Sequence, residues 1–232
     1  CMNSRVVHTL ERMPTRWFLM ISVVQYGMPR TGSTLIRRIL YQIFPEHEQP
    51  SQHPPLVLES LSALIISERY PLDVLVSVIR INCDENRERI SDGGLNHYLP
   101  RLEEQYRAYL HDLSASKDYK LKLKYEKFWN NYDYVFDGLE NFFNDTLGFK
   151  YHNPVEISKE KRANIKKICG IKNTKKIQDT LDNFDEVDEK TKIHGRHIAT
   201  PKPFNYKKCL TDAQINFLKE KLDEPIREWK KL

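Results

Sequence analysis

The chain has 232 residues, 40% of them hydrophobic, which suits one domain with a sizeable core. Its 37 basic residues against 32 acidic ones leave a formal charge of +5, too mild for a dedicated nucleic-acid binder, which concentrates basic residues in a stripe. No segment approaches the ~20 apolar residues of a membrane span, and Cys1, Cys83, Cys169 and Cys209 show neither C-x-x-C spacing nor a pairing pattern, so they read as reduced thiols of an intracellular protein.

Residues 1–16 carry no clear pattern and read as an N-terminal extension. The apolar run Trp17 to Val24 is followed by Gln25-Tyr26-Gly27 rather than by a small-residue cleavage site, so it is expected to be a buried first strand. Gly27-Met28-Pro29-Arg30-Thr31-Gly32-Ser33-Thr34 comes next, and then Leu35, Ile36, Ile39, Leu40 and Ile43 recur at helical spacing, predicting a helix from Ser33 to about Phe44. A strand, a glycine-bounded loop and a helix in this order aim several backbone N–H groups and a helix N-terminus at one point, which makes an anion site. The loop is nearly a Walker A motif, but Ser33 stands where that motif needs its lysine, and the cation is Arg30, inside the loop.

The proline-rich stretch Pro45 to Pro55, which holds His47 and His53, is expected to be a loop. Leu56 to Glu68 is expected to be helical and Asp73 to Ile79 a strand. Leu95, Tyr98, Leu99, Leu102, Tyr106, Tyr109, Leu110 and Leu113 predict an amphipathic helix with Pro100 in its first turns, where proline is tolerated best. Tyr119 to Tyr125 alternates lysine with Leu121, Leu123 and Tyr125, the pattern of a strand. Tyr132, Val135, Phe136, Leu139, Phe142 and Phe143 form the next helical stripe, with Gly148 beyond its end. Ser158 can cap a basic helix that Gly170 closes, and Thr211-x-x-Gln214 is a capping-box match opening the last helix. Strands alternating with helices predict a parallel β-sheet flanked by helices on both faces, an α/β three-layer P-loop-like fold, in one domain over residues 1–232. No internal repeat or low-complexity tract is present.

Pro29-Arg30-Thr31-Gly32-Ser33-Thr34 resembles the P-[RK]-[ST]-G-[ST]-[ST] loop of PAPS-dependent sulfotransferases, which binds the 5′-phosphosulfate of 3′-phosphoadenylyl sulfate. Three further segments fall in that family's order. Val74 to Arg80 resembles the strand that ends in the 3′-phosphate arginine. Leu121 to Phe128 resembles the hydrophobic strand followed by Y-E-D-F. His194-Gly195-Arg196-His197-Ile198, within a stretch running over 186–210, resembles the loop that closes over the nucleotide. The resemblance spans most of the chain, from about residue 18 onward.

What the resemblance implies is a transferase that moves a sulfonate group from PAPS to a hydroxyl or amine acceptor and leaves 3′,5′-ADP (PAP), with no metal. Pro29, Arg30, Thr31, Gly32, Ser33 and Thr34 would hold the phosphosulfate, with Arg30 neutralising the bridging oxygen as the nucleotide leaves. Arg80 would hold the 3′-phosphate. The family follows that arginine with a proline and then a serine on the next helix; here no proline follows Arg80, and Ser91 stands later than usual. Tyr125 matches the tyrosine that packs on adenine, and Arg196 and His197 match the closing loop. His53 is the expected proton acceptor, because a histidine titrates near neutrality and this one lies in the first loop after the phosphate-binding helix; His47 is its nearest rival. The eight histidines show no H-x-x-H or H-E-x-x-H spacing, which speaks against metal chemistry.

Two other classes are compatible with the chain: a non-catalytic relative that binds a nucleotide or polyanion, and a P-loop kinase, which the serine at position 33 disfavours. A small-molecule or carbohydrate acceptor, no nucleic acid and no membrane are expected as partners. The absence of an N-terminal anchor points to the cytoplasm. The acceptor's identity and the oligomeric state are not encoded in any readable motif.

Overall fold

The computed structural model describes residues 22–45, 51–54, 56, 62–82, 89–116, 119–149, 154–170, 174, 176, 180–181, 186–188, 193–194 and 202–231. Four strands, β1 (Ser22–Tyr26), β2 (Ser51–Gln52), β3 (Ser62–Glu68) and β4 (Tyr119–Lys124), form one parallel sheet in the order β2-β1-β3-β4. Every residue of β3 is buried, as a central strand covered on both faces must be. Its side chains alternate between two cores: Ala63 and Ile65 in one, Leu64 and Ile66 in the other.

Helices α1 (Ser33–Ile43), α4 (Tyr125–Phe128), α5 (Tyr132–Asn141) and α6 (Lys159–Cys169) supply the first core. Ile36, Ile39, Phe128, Phe136 and Leu139 pack there without exposure. A short π-turn, Phe142–Thr146, extends α5. The second core lies under α2 (Pro71–Asn82), α3 (Asp92–Ala115), α7 (Tyr206–Cys209), α8 (Asp212–Lys221) and α9 (Asp223–Lys230). A separate antiparallel pair joins β5 (Val187–Asp188) to β6 (Ile193–His194). The molecule is therefore an α/β sandwich of helix, parallel sheet and helix, as the alternation of elements predicts. No helix among the described residues is long and apolar enough to cross a membrane.

The local signals are met where they are chemical. Ser158 accepts from the Lys161 amide at 3.2 Å to cap α6, and Thr211 and Gln214 form the full capping box of α8. Gly170 closes α6, though in an extended rather than a left-handed conformation. Pro100 lies deeper in its helix than expected, because α3 already starts at Asp92, capped by Ser91.

Two expectations fail, and they fail together. The stretch 56–68 is not helical where described from 62 onward: Ser62–Glu68 is β3. Asp73–Ile79 is not a strand but the middle of α2. A continuous apolar run is compatible with a buried strand or a buried helix, because periodicity vanishes when every face is covered. Helix α2 is such a case, with each residue from Pro71 to Ser77 buried. The arbiter in the sequence is Pro71, which stands at the first helical position, where its missing N–H costs nothing. The stretch 45–55 also departs from a plain loop, since Ser51–Gln52 pairs with β1. Residues 1–21 and His47 lie outside the described residues.

Phe136 is fully buried between α5 and the sheet. Phe136→Ala is expected to destabilise the fold by ~3–5 kcal/mol, read as a lowered denaturation midpoint in urea at unchanged slope.

Candidate functional site

The site begins where β1 ends. Gly27 approaches the neighbouring strand so closely that a Cβ there would stand 2.7 Å from the Ser67 carbonyl oxygen. Thr31 turns its hydroxyl inward, donating to the Met28 carbonyl at 2.7 Å and lying 2.9 Å from Ser67 Oγ, which holds the loop against β3. Arg30 (φ 69°) and Gly32 (φ 91°) both adopt left-handed backbone. A glycine is required at 32 for a second reason: a Cβ would lie 2.7 Å from Tyr125 and 2.9 Å from Phe128. Arg30 has no such freedom, and a left-handed non-glycine residue in a loop over-determined by its surroundings is the kind of strain found at ligand sites.

Helix α1 starts at Ser33, directly behind this turn. Gly32 brings no side chain to cap it, and no acidic residue stands in its first turn. The positive end of the helix dipole therefore faces the loop uncompensated by any carboxylate of its own.

Two guanidinium groups meet here. Arg30 donates from Nε to Ser77 Oγ on α2 at 3.2 Å. Burial, with Arg69 second, pulls the Arg30 guanidinium down to about 10, so it still carries its charge at neutral pH. Arg69, the residue after β3, donates to the Arg30 carbonyl at 3.4 Å and to the Lys202 carbonyl at 3.4 Å. Its guanidinium lies over the Tyr125 ring at 4.5 Å, and its Nε stands 3.9 Å from Asp73 Oδ2. Burial pushes the Asp73 carboxyl upward while Arg69 pulls it back down. That carboxylate also accepts from the Tyr206 amide at 3.0 Å and from the Phe204 amide, so it ties the segment before α7 to the start of α2.

The residues expected from the sequence divide clearly. Pro29 to Thr34 form the turn into α1 as one unit. Tyr125 opens α4, buried against Gly32 and under Arg69. His53 follows β2, whose register (Tyr26 beside Gln52) sets it next to Gly27. Its Nδ1 lies 2.6 Å from the Gly27 carbonyl. A carbonyl only accepts, so Nδ1 is the donor in this contact.

Arg80 is not at a strand end. It sits in the last turn of α2, near enough to the Cys209 thiol to oppose the effect of burial there. Ser91 is the N-cap of α3 and accepts from the Gly94 amide at 3.2 Å. Arg196 and His197 lie outside the described residues. The arginine that does end an inner strand is Arg69, and the serine that follows it on the next helix is Ser77. The signal was Arg69-Tyr70-Pro71: a proline two residues after an arginine marks where strand gives way to helix. Among the described residues, no cluster of three His, Cys, Asp or Glu side chains could hold a metal ion.

No protein-family model matches the sequence. No curated protein matches it either. The fold does have solved counterparts. Mouse sulfotransferase SULT7A1 complexed with PAP superposes with a TM-score of 0.62 at 12% sequence identity, covering 90% of this chain and 88% of that one. The chain thus has a sulfotransferase-like fold.

Gly32→Ala is expected to destabilise the protein by more than ~1 kcal/mol, since alanine at positive φ is strained and its Cβ meets two aromatic rings. Equilibrium denaturation measures this. Gly148, also at positive φ (75°) but with open space around it, should suffer the backbone cost alone, so Gly148→Ala should cost less.

Proposed function

We propose that this protein is a sulfotransferase that moves a sulfonate group from PAPS to a hydroxyl or amine acceptor and releases 3′,5′-ADP. The observation that carries the proposal is the convergence of two guanidinium groups, the half-buried Arg30 and the buried Arg69, on a left-handed turn at the N-terminus of α1. Neighbouring cations in a partly dry site favour a polyanion between them. A PAP-bound sulfotransferase with the same fold fits that reading.

Each group has a role in it. The backbone amides of residues 31–34, with the Ser33 and Thr34 hydroxyls, hold the 5′-phosphate and the sulfonate, and Pro29 and Gly32 shape the turn. Arg30 stabilises the charge that develops on the bridging oxygen as the bond from sulfur to that oxygen breaks. Arg69, with Ser77, takes the place expected of Arg80 and Ser91 and holds the 3′-phosphate. Tyr125 packs beside the adenine. Arg196 and His197 complete the grip from the closing segment. His53 accepts the acceptor's proton on Nε2 while the new bond from the acceptor oxygen or nitrogen to sulfur forms. No metal is required where fixed cations occupy these positions. We place the enzyme in the cytoplasm.

Ligand-induced stabilisation tests the cofactor. At about 100 times its dissociation constant a ligand adds ~2.7 kcal/mol to stability. 3′,5′-ADP should raise the melting temperature more than 5′-AMP or ATP with magnesium. In Arg69→Met the advantage of 3′,5′-ADP over 5′-AMP should shrink by ~1.5–3 kcal/mol, the worth of a hydrogen bond to a charged group, whereas a merely structural loss would move both ligands alike. Strongest stabilisation by ATP with magnesium would replace this reading with a kinase.

Turnover tests the catalytic groups. With a labelled sulfonate donor, Arg30→Ala should lose ~2.7–4 kcal/mol of transition-state stabilisation in kcat while 3′,5′-ADP still binds. His53→Ala should lose roughly 10²–10⁴-fold in kcat and the acidic limb of the pH–rate profile. Wild-type kcat in His53→Ala, with the loss appearing in His47→Ala, would move the proton acceptor to His47.

A further inference from the structure

The histidine beside the phosphate turn is held by more than its own contact. His53 is exposed, and an exposed side chain meets a reacting atom at one position only if its backbone is fixed. On its upstream side, Gln52 pairs with Tyr26 in the sheet. The ring itself reaches the Gly27 carbonyl through Nδ1 at 2.6 Å. Downstream the sequence runs Pro54-Pro55-Leu56. Proline has no N–H, so Leu56 is the first residue after His53 whose amide can be tied down.

That amide donates at 2.8 Å to Oδ2 of Asp112, in the last turn of α3. The same oxygen accepts from the Tyr26 hydroxyl at 2.7 Å. Tyr26 is fully buried. Burial, and after it the bond to Asp112, pushes the phenol well above its usual range, so it stays a donor at any working pH. The other oxygen, Oδ1, lies 3.7 Å from Nδ1 of the exposed His111. The contacts close a ring. Gly27 holds His53, Leu56 lies three residues on, Asp112 holds Leu56, and Tyr26, next to Gly27, holds Asp112. A proline ring fixes its own φ, so two prolines in succession pass a constraint at Leu56 back to His53 with little slack.

We infer that Asp112 is a positioning residue for His53: from α3 it holds the Leu56 amide and so fixes the loop that sets the imidazole beside the phosphate turn. A carboxylate suits the task, because one of its oxygens can accept from an amide and a hydroxyl together, and its charge strengthens both bonds. A role confined to the fold would consist of satisfying the buried Tyr26 hydroxyl. The bond to Leu56 adds the connection to the loop. The anchoring stands on these contacts alone. Its value to turnover rests on the sulfotransferase reading above, with His53 as the proton acceptor.

Asp112→Ala alone would strand the Tyr26 hydroxyl, so the test combines it with Tyr26→Phe, which takes the stranded group away. With a labelled sulfonate donor this double variant should lose roughly 10–10²-fold in kcat, the effect of a displacement of about 1 Å at reacting groups, while its affinity for 3′,5′-ADP stays that of the wild type. Tyr26→Phe alone keeps the Leu56 anchor and should lose far less. Asp112→Asn, whose amide oxygen still accepts from both donors, should retain most of the rate. In a His53→Ala background the double variant should cost less than about twofold, because no imidazole is left to position. An equal loss with and without His53, or wild-type kcat in the double variant, overturns the inference. Should the double variant fold poorly, Pro54→Gly decides in its place: it slackens the link without touching Asp112, and its loss of kcat should again require His53. Hydrogen exchange needs no turnover. The Leu56 amide should exchange about tenfold faster in the double variant than in Tyr26→Phe, as the loss of one hydrogen bond implies. Unchanged exchange there removes this inference and leaves the proposed function standing; faster exchange in a chain that transfers no sulfonate keeps the anchor and removes the transferase.

Discussion

Much of the site depends on one buried charge. The Arg69 guanidinium is 6% exposed and touches the phosphate loop, the Tyr125 ring, Asp73 and the segment before α7. A buried cation is tolerable only when paired and hydrogen-bonded. Asp73 supplies the pairing, but it is shared with the amides of Phe204 and Tyr206. Arg30 adds a second cation beside it. Two cations side by side repel one another, a cost that the shared Asp73 carboxylate offsets only in part.

The turn that presents the loop has its own tension. Arg30 stands in a backbone conformation that suits glycine, while Thr31 is locked underneath by Met28 and Ser67. Gln25 reinforces the same corner, donating to Ser67 Oγ at 3.3 Å. Small hydroxyl and amide groups thus pin a strained backbone from below. Rigid support of this kind reduces the reorganisation that charge stabilisation would otherwise require.

What could be read in the sequence was whatever local chemistry determines. The loop at 27–34, the caps at Ser158 and Thr211, the amphipathic α3 and α5 and the alternating β4 all carry a period or a turn signal of their own. The strand β3 and the first two turns of α2 carry neither, because both are covered on all sides, and a run such as Leu72 to Val76 is then decided by the packing around it. The exchange of those two elements moved the strand-end arginine from Arg69 to Arg80. The position of His53 beside Gly27 was likewise not legible, since it follows from the pairing of a two-residue strand that no local pattern announces. Neither was Asp112, whose significance lies in Tyr26 and Leu56 meeting it across the fold.

Strand β4 closes the sheet on one side among the described residues, and it carries Lys120, Lys122 and Lys124 on a single face. Each lysine has a separate engagement: Lys120 with the carbonyls of Leu113 and Ser116, Lys122 with Glu68, and Lys124 over the Trp229 ring at 3.7 Å. A foreign strand docking along this edge would have to lie beside three ammonium groups already committed elsewhere, and a like strand would bring three more. Edges guarded in this way resist templated growth from one molecule to the next. The alternating lysines that mark β4 as a strand therefore also set a row of positive charge along the last described strand of the sheet.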